Sequence, residues 1–136
     1  MKRLDVKATI DSLSEVQSFV DQILEESGCS MKAQMQIDIA VEELFVNIAH
    51  YAYPEGNGDA AVLVEPDAET GCVKITFEDQ GIPYDPLAHE DPDITLSAED
   101  RAVGGLGIFM VKKSMDDISY EYKNGKNRLT IIKNIK

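Results

Sequence analysis

At 136 residues, 43% hydrophobic and 28% charged, the chain is long enough to bury a core as one domain, residues 1–136. No apolar run nears the ~20 residues of a membrane span, and MKRLDVKATI is too polar for a signal peptide, so no membrane partner and a cytoplasmic location are expected. A net charge of −12, from 13 basic and 25 acidic residues, argues against direct nucleic-acid binding and requires local donors for any anionic ligand.

LDVKATI alternates and reads as a strand. Beyond Asp11, residues Val16, Phe19, Val20, Ile23 and Leu24 recur at helical spacing; Asp11 or Ser12 can cap the start and Gly28 stops the helix. Cys29 and Cys72, with no CxxC or Cys/His cluster, read as buried free thiols. Ser30 caps a second helix running to about Tyr53, ended by Pro54 and Gly56. Strands AAVLVE and CVKITFED follow, joined by PDAETG. The stretch from Gly81 to Val103 is rich in Pro, Asp and Glu and longer than most connections, which marks it as functional or mobile. A third helix begins near Gly105, and ISYEYK and RLTIIKNI close the chain as a hairpin turned at Asn124-Gly125. This order predicts an α+β fold, a two-layer sandwich whose mainly antiparallel sheet carries helices on one face.

The second helix has a polar border. With about 100° per residue, Ile37, Ala40, Val41, Ile48 and Tyr51 fall within about 60° of Leu44 and form the core stripe. Glu42 and Asp38 point away, toward solvent. Glu43 and Asn47, stacked at i,i+4, lie along one edge with His50. A carboxylate there can accept a hydroxyl proton, and an amide oxygen beside it suits Mg²⁺. Edge positions of amphipathic helices also carry such residues with no catalytic purpose.

Two later segments add chemistry. Asp79-Gln80-Gly81 follows a strand, so Asp79 can accept from an exocyclic amino group and Gly81 can admit a flat base. Gly104-Gly105-Leu106-Gly107 enters a helix, where backbone N–H groups and the helix N-terminus attract anionic oxygens. These are the local donors that the acidic chain requires. Arg101, just upstream, can reach a terminal phosphate. Neither GxxxxGK[ST] nor GxGxxG is present.

In order, EELFVNIAHYAYP, FEDQGIPYDP and VGGLGIFMVKKSMDD resemble the motif series of the gyrase/chaperone/histidine-kinase ATPase superfamily, across nearly the whole chain. Within it the sequence is most similar to the anti-sigma-factor serine/threonine kinases, whose glycine helix ends as Met115-Asp116-Asp117 does. The resemblance implies a Bergerat-type ATP-binding fold with ATP and Mg²⁺ as cofactors. It makes Glu43 the catalytic carboxylate and Asn47 the magnesium ligand. Asp79 and Gly81 would hold adenine, Gly105 and Gly107 would lie at the phosphates, and residues 85–103 would form a lid carrying Arg101. Two positions depart from the family pattern. Tyr51 stands where many relatives have histidine, and GKNRLT replaces a glycine-rich turn, leaving Asn127 and Thr130 as rivals beside adenine, with Thr130 the residue assigned.

The resemblance implies a kinase acting on an anti-sigma antagonist protein, with a sigma factor as a further partner and a homodimer permitted. The alternative is a non-catalytic ATP-binding module that switches partners through its lid.

Overall fold

The computed structural model describes residues 1–54, 56–88 and 105–136. Five strands, β1 (Lys2–Lys7), β2 (Asp59–Asp67), β3 (Cys72–Asp79), β4 (Asp117–Lys123) and β5 (Lys126–Asn134), form one sheet in the order β1-β2-β3-β5-β4. All four pairings are antiparallel. Helices α1 (Leu13–Glu26), α2 (Met31–Tyr51) and α3 (Gly105–Ser114) pack on one face. Among the described residues no helix is long and apolar enough to cross a membrane.

Local chemistry sets the boundaries. Ser12 stands at the N-cap of α1 without a side-chain cap bond, because a 3₁₀ turn at Ile10–Ser12 leads straight into the helix. Beyond Gly28 the Cys29 N–H reaches back to the Leu24 carbonyl at 3.0 Å, which closes α1. Ser30 caps α2 by accepting from the Ala33 N–H at 3.2 Å. Cys29 and Cys72 are free and half-buried.

The alternation of β3 and β5 divides the sheet into two faces. Val73, Ile75 and Phe77 of β3 and Leu129 and Ile131 of β5 face the helices and meet Ile37, Val41, Leu44 and Phe45 of α2. Phe45 and Phe77 are essentially fully buried, each contributing on the order of 2–3 kcal/mol. The other face carries Glu78 between Arg3 and Arg128, at 3.8 and 3.7 Å.

Two residues of α2, Tyr51 and Asp38, depart from the helical-wheel expectation, and Phe45 extends the buried face beyond the stripe. Phe45 is fully buried because α1 widens the covered flank, whereas Tyr51 is 47% exposed and stacks on Tyr84 instead of entering the core. Asp38 is not solvated as expected: the same flank buries one of its oxygens.

Candidate functional site

The β3–β5 register sets Asp79 opposite Asn127, where the sheet meets the C-terminal end of α2. Both side chains face the helices and each is 6% exposed. Asn127 Nδ2 donates to Asp79 Oδ1 at 2.9 Å, and the Gly81 N–H donates to the same oxygen at 2.9 Å. Among the described residues nothing donates to Asp79 Oδ2. Burial pushes the Asp79 pKa up, and the Asn127 and Gly81 donors pull against that shift. One oxygen is therefore fixed and the other remains an acceptor.

Asn127 ties this end together. Its Nδ2 also donates to the Ile82 carbonyl at 2.8 Å, while its Oδ1 accepts from the Tyr84 N–H at 3.2 Å and from the Tyr120 hydroxyl. Gly81 also admits the end of α2 at close range. A Cβ there would sit 2.1 Å from the Ala52 carbonyl oxygen, which also accepts the Ile82 N–H at 2.9 Å. The space left by this glycine is taken by the end of α2.

Leu44, Ile48, Phe77 and Leu129 wall a cavity of about 40 Å³ beside Asp79, with Asn47 also lining it. The Tyr51 and Tyr84 rings close one side, 5.9 Å apart and tilted by 34°.

Asn47 links the cavity to Glu43, one turn earlier on α2. Its Nδ2 donates to Glu43 Oε1 at 3.5 Å, which directs the amide oxygen elsewhere, where it can serve as a neutral hard ligand. The first turn of α3 rests against the same carboxylate. A Cβ at Gly107 would meet the Glu43 carboxylate, which would have to swing aside to make room. Gly105 opens α3, placing the partial positive charge of a helix N-terminus beside Glu43 and Asn47.

Thr130 does not join this group. It lies on the opposite face of the sheet, its Oγ1 3.1 Å from Thr76 Oγ1, because alternation turns Asn127, Leu129 and Ile131 toward the helices. Of the two rivals, Asn127 is the one at the cleft. Arg101, Gly104 and the lid residues 89–103 lie outside the described residues; residues 86–88 of the expected lid form a 3₁₀ turn. His50 is exposed and meets the edge of Tyr51 at 6.0 Å between ring centres. Sequence reasoning missed Tyr84 and Tyr120. For Asn127 over Thr130 the available signal was strand parity, since Asn127 shares the phase of Leu129 and Ile131.

Residues 6–133 match the histidine kinase-like ATPase domain, and the chain belongs to that family. Its relatives there include serine/threonine-protein kinases. It is 23% identical over 128 residues to the serine/threonine-protein kinase BtrW of Bordetella bronchiseptica, spanning 94% of this chain and 89% of that one. It is 28% identical over 107 residues to the serine-protein kinase RsbW of Listeria monocytogenes, spanning 76% of this chain and 68% of that one. The crystal structure of the RsbU and RsbW domains of a Mycobacterium tuberculosis protein shares the fold, with a TM-score of 0.64 and 17% identity over 99% of this chain and 33% of that one. The chain is thus an ATP-binding domain of the serine/threonine-kinase type.

Proposed function

We propose that this protein is an anti-sigma factor that phosphorylates a serine or threonine of an antagonist protein from ATP and binds a sigma factor in alternation. The observation that carries this reading is the placement of Asn47, which contacts Glu43 on one side and lines the Asp79 cavity on the other. One cleft then offers a base acceptor at Asp79, a metal ligand at Asn47 and a proton acceptor at Glu43.

The residues fit the nucleotide. Asp79 Oδ2 accepts the exocyclic amino group of adenine, while Asn127 holds the other oxygen in place. The N-terminal turn of α3, at Gly105 and Gly107, donates N–H groups toward phosphate oxygens. Among the described residues no three His, Cys, Asp or Glu side chains form a metal cage. Asn47 Oδ1 would be the protein's ligand to a Mg²⁺ that accompanies the phosphates. When bound, that cation would supply charge neutralisation at the phosphates.

Glu43 orients the attacking hydroxyl and accepts its proton as the oxygen bonds to the γ-phosphorus and the bond to the β-phosphate bridging oxygen breaks, releasing ADP. Arg101, in the lid, is assigned to the terminal phosphate. Positioning and charge neutralisation supply most of the acceleration.

Incubation with radiolabelled ATP and candidate antagonist proteins tests the proposal. Label should appear on a serine or threonine of one antagonist, and Glu43→Gln should cut transfer on the order of a hundredfold while keeping nucleotide affinity. Tight nucleotide binding without transfer to any candidate would instead support the non-catalytic partner-switching module.

A further inference from the structure

The outward face of α2 is unusual for a surface helix. Met31, Met35 and Ile39, spaced at i, i+4 and i+8, are 80%, 61% and 61% exposed, so three large apolar side chains line one ridge in solvent. The ridge runs between the border of α2 that carries Glu43 and the border packed by α1. It contributes nothing to the core, which takes Ile37, Val41, Leu44 and Phe45 from the opposite side of the helix. Single exposed apolar residues are ordinary, but an aligned row is a binding signature, and methionine adapts readily to a partner's shape.

The flank of the ridge identifies the partner's charge. On the α1 side stand Asp38 and Glu42 of α2 with Asp21 and Glu25 of α1. Asp38 has one oxygen buried and its carboxyl lies against that of Asp21, with which it shares a hydrogen bond when protonated. Gln34 donates to Asp21 Oδ1 at 3.2 Å, and the remaining groups facing Asp38 are Glu25 and the Cys29 thiol, none of them cationic. The other border carries Lys32, Gln36, Glu43 and His50, where the lysine and glutamate charges offset, so the net negative charge lies on the α1 edge. A helix offering lysine or arginine to that edge would pair with these four carboxylates, of which Glu25 and Glu42 are exposed and Asp21 and Asp38 partly so.

We propose that this face of α2 docks a protein partner through an amphipathic helix, whose apolar ridge covers Met31, Met35 and Ile39 and whose basic edge meets Asp38 and Glu42. Charge complementarity selects that occupant. A second copy of this chain brings another net charge of −12, and an anionic membrane surface is repelled in the same way. The surface is separate from the nucleotide cleft, so the proposal stands whether or not phosphate is transferred.

The test titrates the whole chain, isotopically labelled, with two 18-residue amphipathic peptides, one leucine/lysine and one leucine/glutamate, followed by backbone amide chemical shifts. The lysine peptide should shift amides of α2 from Met31 to Glu42 and of α1 near Asp21, saturably, and the glutamate peptide should not. Met35→Lys/Ile39→Lys should weaken lysine-peptide binding at least tenfold, and Met110→Lys, an exposed apolar site on α3, should leave it within twofold. Because burial and then Asp21 and Glu25 raise the Asp38 pKa to about 7, affinity should also increase between pH 6 and pH 8. Shifts centred elsewhere, equal affinity for both peptides, or undiminished binding by the double variant would overturn the proposal. So would concentration-dependent shifts of the same amides without peptide, which would assign the face to a second copy.

Discussion

Asn127 holds Asp79, the Ile82 carbonyl, the Tyr84 N–H and the Tyr120 hydroxyl at once, all from a position 6% exposed. Asn127→Ala leaves several buried polar groups unpaired and should cost about 2–3 kcal/mol of stability by urea unfolding. It should also lower nucleotide affinity at least tenfold in calorimetry. Thr130→Ala removes only a hydroxyl pair on the far face and should leave affinity within twofold. Asp38 shows the opposite situation, a carboxyl whose pKa is raised to about 7 by burial and by Asp21 and Glu25. In the unfolded chain it ionises near pH 4. Between those values the folded state holds the extra proton, so stability falls as pH rises from about 4 to about 7 and is flat above. Partial exposure reduces the effect to roughly 1–2 kcal/mol. Asp38→Asn should therefore stabilise the protein by about that amount at pH 8 and hardly at all at pH 4, measured by denaturant unfolding at both.

The β4–β5 hairpin determines which residue reaches the cleft. Asn124 and Gly125 both have positive φ, 56° and 76°, as a two-residue type I′ turn requires. A Cβ at Gly125 would meet nothing within 4 Å, so Gly125→Ala tests backbone strain alone. It should cost about 1 kcal/mol in thermal or denaturant unfolding, leaving the register and the Asn127–Asp79 bond intact. This hairpin was legible in the sequence because Asn-Gly between alternating strands has a single strong reading. So were the caps at Ser30 and Gly28 and the Glu43–Asn47 border, which rest on local periodicity. The facts that depend on tertiary neighbours were not legible. Only the packing of α1 explains why one oxygen of Asp38 is buried, only the fold brings the Ala52 carbonyl against Gly81, and Tyr51 left the core stripe for Tyr84, more than thirty positions away. Thr130 was misplaced for a different reason: one residue of strand phase inverts the face.

Across the whole molecule, charge and site work against each other. The chain carries −12 overall, and ATP is itself a polyanion, so encounter is opposed by the mean field, while in the proposed site capture would depend on short-range N–H donors at the start of α3 and the hydrogen-bond acceptors around the base. Salt separates the two. Raising ionic strength from about 0.02 to about 0.2 M shortens the screening length from roughly 20 Å to roughly 7 Å, which removes most of the long-range repulsion and leaves contacts at hydrogen-bond distance much less affected. The association rate constant of a fluorescent ATP analogue, followed by stopped flow, should therefore rise several-fold over that range, while its dissociation rate changes by less than twofold. A basic binding site, steered by attraction, would show a falling association rate. The same measurement with uncharged adenosine should be flat, which separates repulsion of the phosphates from any effect of salt on the Asp79 end of the cleft.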